Sequence, residues 1–149
     1  MFKDYQKTIF ILIGLQASGK TTFSREYFAG FDIVSLDILK TRKKEDKMIS
    51  DLIRTGKNFV IDNTNLTIEE RKKYIDIADG YKKVGIYFRS TVDECSKRNL
   101  ARGNKVPLKA ILSSAKKLKQ PSYGENFDEL YYVKIENNKF HLSKWDETL

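Results

Sequence analysis

Gly14-Leu15-Gln16-Ala17-Ser18-Gly19-Lys20-Thr21, followed by Thr22, is the stretch on which the fold turns. It matches G-x-x-x-x-G-K-[ST], and its setting is what the chemistry of that pattern requires. The apolar run from Thr8 ends at Gly14 and reads as a strand, and Lys20 to Phe28 reads as a helix. Glycines in such a turn let successive backbone N–H groups and the helix N-terminus approach a bound phosphate. Lys20 is expected to reach the outer phosphates of a nucleoside triphosphate, and the Thr21 hydroxyl to bind Mg²⁺.

Working outward, the strand-then-helix alternation recurs. Phe31 to Ser35 reads as a second strand, with a helical stretch after Asp37 to about Arg54 that Gly56 caps. Asn58 to Asp62 reads as a buried strand, and Thr67-Ile68-Glu69-Glu70 has the form of a capping box that opens a helix to about Ala78. Val84 to Phe88 is a further strand, and Thr91-Val92-Asp93-Glu94 a second box, opening a helix through about Ala101. A basic linker, Arg102 to Val106, leads to Pro107 and a helix from Leu108 to about Lys119. Glu129 to Ile135 reads as a last strand, which Asn137-Asn138 turns into a short hairpin with Lys139 to Leu142.

This alternation predicts an α/β fold: a three-layer α/β/α sandwich whose sheet has about five strands, mainly parallel. Ligands in such sheets bind beyond the carboxyl ends of the strands. The chain has 149 residues, 40% of them apolar, which is enough for one core, and a single domain over 1–149 is expected, with a small helical lid over about 98–120.

The lone Cys95 excludes an intrachain disulfide, and the longest early apolar run, Ile9 to Ile13, is too short for a signal-peptide core or a membrane span. A cytoplasmic protein without a membrane partner is the expectation. The net charge of +8 suits a polyanionic partner, although the basic residues are spread along the chain as they are on ordinary lysine-rich surfaces.

Asp37 follows the second strand and is expected to face the crevice beside the γ-phosphate, where a carboxylate can take a hydroxyl proton. Asp62 closes the third strand, where an acid after apolar residues suits a magnesium site; an Asx turn would use the same residues. Arg98 and Arg102, four apart, share a helix face and could fold over bound phosphates. Tyr74, Tyr81 and Tyr123 have the chemistry to stack on bases, though packing is the commoner use of such rings. His141 and Cys95 have no partners in the sequence that would make them catalytic or metal-binding, and Phe140 and Trp145 read as anchors for the C-terminal hairpin.

Together, Gly14 to Thr21, the strand leading to Asp37, Ile61-Asp62-Asn63-Thr64-Asn65, Arg98-Asn99 with Arg102, and Gln120-Pro121 before Glu125-Asn126-Phe127 resemble the P-loop kinase domain of the polynucleotide 5′-kinase family. The resemblance covers most of the chain. It implies transfer of the γ-phosphate of ATP, or another nucleoside triphosphate, with Mg²⁺, to a 5′-hydroxyl on DNA or RNA. Carried across, Gly14 to Thr22 with Arg98 and Arg102 hold ATP, and Lys20, Asp37 and Arg102 are catalytic. Thr21 and Asp62 hold the metal, while Asp37, Lys40, Asn63, Thr64 and Arg71 lie along the acceptor.

Two departures stand out. The family has Asn-Arg-Asp where this chain has Ser35-Leu36-Asp37, so an arginine near the acceptor is missing, and Lys40 is the nearest replacement for its charge. No Asp-x-Asp-x-Thr phosphatase motif accompanies the kinase, which points to a stand-alone enzyme with any phosphatase or ligase on a separate chain. Two other readings stay open: a kinase for a small-molecule hydroxyl such as a nucleoside, sugar or antibiotic, and a nucleotide-dependent switch with slow hydrolysis.

Overall fold

The computed structural model describes residues 1–145. Its sheet is built on β1 (Thr8–Ile13), whose six residues are all buried. Alternation along the strand sends Ile9, Ile11 and Ile13 to one apolar cluster and Phe10 and Leu12 to another, so both faces of the sheet must be covered. On the first face sit α3 (Arg42–Arg54) and α4 (Ile68–Ile77), contributing Ile49, Leu52, Tyr74 and Ile75. On the second face, α1 (Lys20–Tyr27) brings Phe23, and Phe2 and Phe28 complete an aromatic cluster around Phe10.

The remaining strands are β2 (Asp32–Val34), β3 (Phe59–Ile61), β4 (Lys82–Phe88), β5 (Glu129–Glu136) and β6 (Lys139–Lys144), in the order β2-β3-β1-β4-β5-β6. Every neighbouring pair through β5 is parallel, and β6 is antiparallel. The sheet therefore has six strands where about five were expected. The extra one is the hairpin return, which is longer than its sequence suggests because Asn137 and Asn138 both take positive φ, 52° and 60°, the two-residue turn that matches strand twist.

The helical stretch after Asp37 is two helices, α2 (Leu36–Leu39) and α3, separated at Lys40, whose φ is 74°. Thr41 accepts from the Lys44 N–H and starts α3 afresh. Gly56 ends α3 at φ 68°, with Lys57 N–H bonded to Leu52 C=O at 3.1 Å. At α4 the box is half formed: Thr67 accepts from Glu70 N–H, but the Glu70 carboxylate accepts from Leu66 N–H instead of Thr67 N–H. The box at Thr91 and Glu94 is complete and starts α5 (Val92–Ala101).

The lid consists of α5 and α6 (Leu108–Lys117), resting on the loop after β1 through Leu15, Ala17, Leu66, Cys95 and Ile111. Among the described residues, no helix is long and apolar enough to cross a membrane.

Candidate active site

The turn from β1 to α1 has the shape the glycine pattern predicts. Gly14 N–H donates to Thr64 C=O at 3.0 Å, and a Cβ on Gly14 would meet Ser18 Oγ at 2.9 Å and Phe88 Cβ at 3.0 Å. Gly19, at φ 98°, is the N-cap of α1, which has no side-chain cap and no acid in its first turn. Its leading N–H groups are thus left for an anion. Lys20 folds back into the loop, donating to Gly14 C=O at 2.9 Å and Leu15 C=O at 2.7 Å. Burial pushes its ammonium down to about 8, against the opposing pull of Asp62 and Asp37. A phosphate arriving there would offset that burial and favour the charged form.

Two acids face this loop from neighbouring strand ends. Asp62, half-buried after β3, accepts from Thr21 Oγ1 at 3.1 Å. Burial raises its carboxyl above the usual carboxylate range, while Lys20 and Thr21 pull it down. A hydroxyl and a desolvated carboxylate in contact make a hard oxygen pair that fits Mg²⁺. Among the described residues no group of three or more His, Cys, Asp or Glu side chains gathers, so most ligands of such an ion would be phosphate oxygens and water. Asp37, in the first turn of α2, is exposed and lines the same cavity.

That cavity, about 730 Å³, takes in Gln16, Ala17, Gly19, Lys20 and Thr21 on one side. Asp37, Arg42, Asp62, Lys73, Tyr74 and Arg102 are among the residues on its other walls. Gln16 Nε2 donates to Ser114 Oγ at 2.9 Å, tying the phosphate loop to the lid. Thr22, Arg98 and Arg102 line a second opening of about 330 Å³, between the lid and the β5–β6 turn. Arg98 also donates to Ala17 C=O at 3.4 Å and Ser90 Oγ at 3.1 Å. Leu15 and Ser18 are buried and shape the loop from beneath.

The acceptor-side residues divide. Asn63 and Thr64 line the cavity. The Asn63 amide, however, is engaged: Oδ1 accepts from Leu36 N–H at 3.0 Å, while Nδ2 donates to Glu45 Oε2 at 3.0 Å and Tyr74 Oη at 3.1 Å. It acts as a strut that fixes α2, and with it Asp37. Arg71 is fully buried, forks onto Glu125 at 2.8 and 3.1 Å and donates to Asn65 C=O at 2.9 Å, so it braces α4 against the turn before β5 and does not line the cavity. Lys40 is exposed at the end of α2 and does not line the cavity.

Glu45 and Arg42 went unread in the sequence as site residues, and Tyr74 was read only as a packing or stacking ring. Glu45 is fully buried and accepts from Arg42, Tyr74 and Asn63. Its position gave the one available signal: it lies four and seven residues before Ile49 and Leu52, on the apolar stripe of α3. Tyr74 is buried as packing predicts, yet its hydroxyl is wired to Glu45; burial and that acid push it up to about 12. Tyr81 and Tyr123 pack into the core.

A phosphate loop at the end of a central parallel strand, with acids on the next two strand ends and a helical lid, defines the P-loop kinase fold. The chain belongs to the AAA domain family, whose model matches residues 9–121. It is 30% identical over 153 residues to the bifunctional polynucleotide phosphatase/kinase of Schizosaccharomyces pombe, covering 97% of this chain and 38% of that one. The chain thus spans well under half the length of this curated relative. Among solved structures, a gluconokinase from Sinorhizobium meliloti 1021 superposes with a TM-score of 0.64 at 16% identity, covering 86% of this chain and 82% of that one. A chain of the Pnkp1/Rnl/Hen1 RNA repair complex gives 0.63 at 21% identity, with 78% and 45% covered.

Proposed function

We propose that this chain is a kinase that transfers the γ-phosphate of ATP to the 5′-hydroxyl of a polynucleotide. The observation that carries this reading is the position of Asp37: an exposed carboxylate on the wall shared with Lys20, Thr21 and Asp62. A hydrolytic switch has less need of such a base, and similarity to a polynucleotide phosphatase/kinase over nearly the whole chain supports the acceptor class.

In this mechanism the loop N–H groups and Lys20 hold the β- and γ-phosphates, and Arg102 meets them from the lid. Thr21 and Asp62 would hold Mg²⁺, which when bound offsets the charge on the outer phosphates. Asp37 accepts the proton of the acceptor hydroxyl as its oxygen bonds to the γ-phosphorus. The bond from that phosphorus to the β-bridging oxygen breaks, and ADP leaves with the electron pair. Asn63 holds α2 so that Asp37 meets the hydroxyl.

The test is end-labelling of a 5′-hydroxyl oligonucleotide by γ-labelled ATP. Asp37→Asn is expected to lower labelling by about 10²- to 10⁴-fold with ATP binding retained. Undiminished labelling would remove Asp37 as the base. A small-molecule hydroxyl is the second reading, favoured by the absence of an arginine at Ser35-Leu36-Asp37; ATP binding without labelling of any oligonucleotide would select it.

A further inference from the structure

The cations of this chain are spread along it, but its acids are not. Between Glu94 and Glu125 lie eight lysines and arginines and no aspartate or glutamate, so this segment carries the whole net charge of +8 and the rest of the chain is balanced. The segment is the lid: most of α5, the linker from Arg102 to Val106, and α6. Elsewhere lysines stand beside acids, as Lys47 does beside Asp51, Lys72 beside Asp76 and Lys134 beside Glu136. On the lid only Lys97 and Arg98 do, through Asp93 and Glu94 in the first turn of α5. Among the described residues, Arg102, Lys105, Lys109, Lys116, Lys117 and Lys119 are exposed and have no acid partner.

Helix α6 turns this charge outward. Ile111 and Ser114 are buried toward the loop after β1, with Gln16 bonded to Ser114, and Leu118 packs on the same side. By helical period the opposite face is Lys109 and Lys116, two turns and about 10 Å apart. Leu112 and Ser113 lie between them, with Leu108 and Lys117 at the borders, all exposed. Like charges gathered this way repel one another, and a polyanion relieves that repulsion. Three kinds of partner suit a basic face, and its composition separates them. A helix lying on a membrane needs a continuous apolar side free for lipid, and that of α6 is turned inward with Ile111 and Leu118. The centre of a protein interface is poor in lysine, which is what stands at the centre here. A phosphate backbone asks only for accessible cations. Arg102 and Val106, at the two ends of the linker, also line the main cavity, so the linker joins that cavity to this face.

We propose that the outer face of the lid, centred on Lys109, Lys116 and Lys117, holds the phosphate backbone of a polynucleotide beyond the nucleotide whose end lies in the cavity. Resting on the polynucleotide reading above, this adds a second surface, outside the catalytic cavity. The face supplies affinity for long strands and takes no part in phosphate transfer. No aromatic side chain lies between Cys95 and Ser122, so it follows the backbone without stacking on bases and is indifferent to sequence.

The test is binding of a fluorescent single strand of about 20 nucleotides, 5′-phosphorylated so that it cannot be an acceptor, followed by anisotropy across a range of salt. Lys109→Gln, Lys116→Gln and Lys117→Gln combined should weaken binding at about 50 mM salt by at least about tenfold. The slope of log affinity against log salt should fall by about 2, the share of three phosphate contacts. Glutamine at Lys3, Lys57 and Lys144, exposed lysines by the starts of β1, β3 and β5, changes the net charge equally and should leave the slope as it is. Labelling of a 5′-hydroxyl dinucleotide should be the same in wild type and the lid variant. Equal losses in the two triple variants would mean attraction by the chain as a whole and would overturn the lid face. So would a lid variant that binds the strand like wild type, including one that loses only binding to phosphatidylserine vesicles. Strand binding without labelling of any acceptor would sink the kinase reading and leave the lid face standing; labelling with no difference between the variants would do the reverse.

Discussion

At the scale of single residues, the phosphate loop is governed by what surrounds one ammonium. Lys20 is expected to titrate near 8 in the ligand-free protein because burial opposes its charge more strongly than Asp62 and Asp37 support it. The folded value lies below the unfolded one, so the cost of burying the cation is full below about pH 8 and fades as pH rises toward 10.5. Denaturant midpoints of wild type and Lys20→Met, taken from pH 7 to pH 9.5, should therefore converge as pH rises; a constant gap would mean Lys20 is not desolvated. The role of Lys20 was legible because eight consecutive residues carry it. That of Glu45 was not: it sits in the run Arg42-Lys43-Lys44-Glu45-Asp46-Lys47, where neighbouring charges make a solvated face the natural reading. Only the spacing to Ile49 and Leu52 separates it from them. The Arg71 ion pair was hidden for the complementary reason, since no sequence rule tells an arginine that meets substrate from one that meets a glutamate 54 residues on.

Secondary-structure elements were read more securely than their joints. Strands β1 to β4 and the helices after Gly19, Thr67, Thr91 and Pro107 were legible because apolar period, glycine and cap residues agree at each. The break at Lys40 was not, because a lysine at positive φ carries no signature and no glycine or proline interrupts the stretch from Asp37 to Arg54. The brace between α4 and the turn before β5 can be tested at this scale. Arg71→Leu should destabilise the protein by about 3 kcal/mol, since it leaves the Glu125 carboxylate buried and unpaired, whereas Arg71→Leu with Glu125→Leu should recover much of that loss. Urea denaturation of the two variants distinguishes this from simple loss of packing, which the second substitution would not repair.

Across the whole molecule, the α/β/α layering follows from the doubly apolar β1, while the sixth strand depends on a turn whose conformation two asparagines only suggest. The net charge of +8 belongs to this scale too. If a strand runs beyond the first nucleotide, its apparent affinity should fall steeply with added salt, by about 0.7 log units per tenfold salt for each phosphate contacted. Comparing the salt slopes of a dinucleotide and a longer 5′-hydroxyl strand reads the number of contacts; equal slopes would confine them to the first phosphate. The β5–β6 hairpin has a consequence of another kind. A Cβ on Gly19 would meet Ile135 Cδ1 at 2.9 Å and Phe140 at 3.2 Å, and Phe140 packs edge-on against Phe23 of α1 at 5.3 Å. The loop at residues 14–21 is thus backed by residues made more than a hundred positions later. On the ribosome the motif therefore emerges more than a hundred residues ahead of the wall that backs it, so nucleotide affinity waits on the hairpin and not on the motif alone.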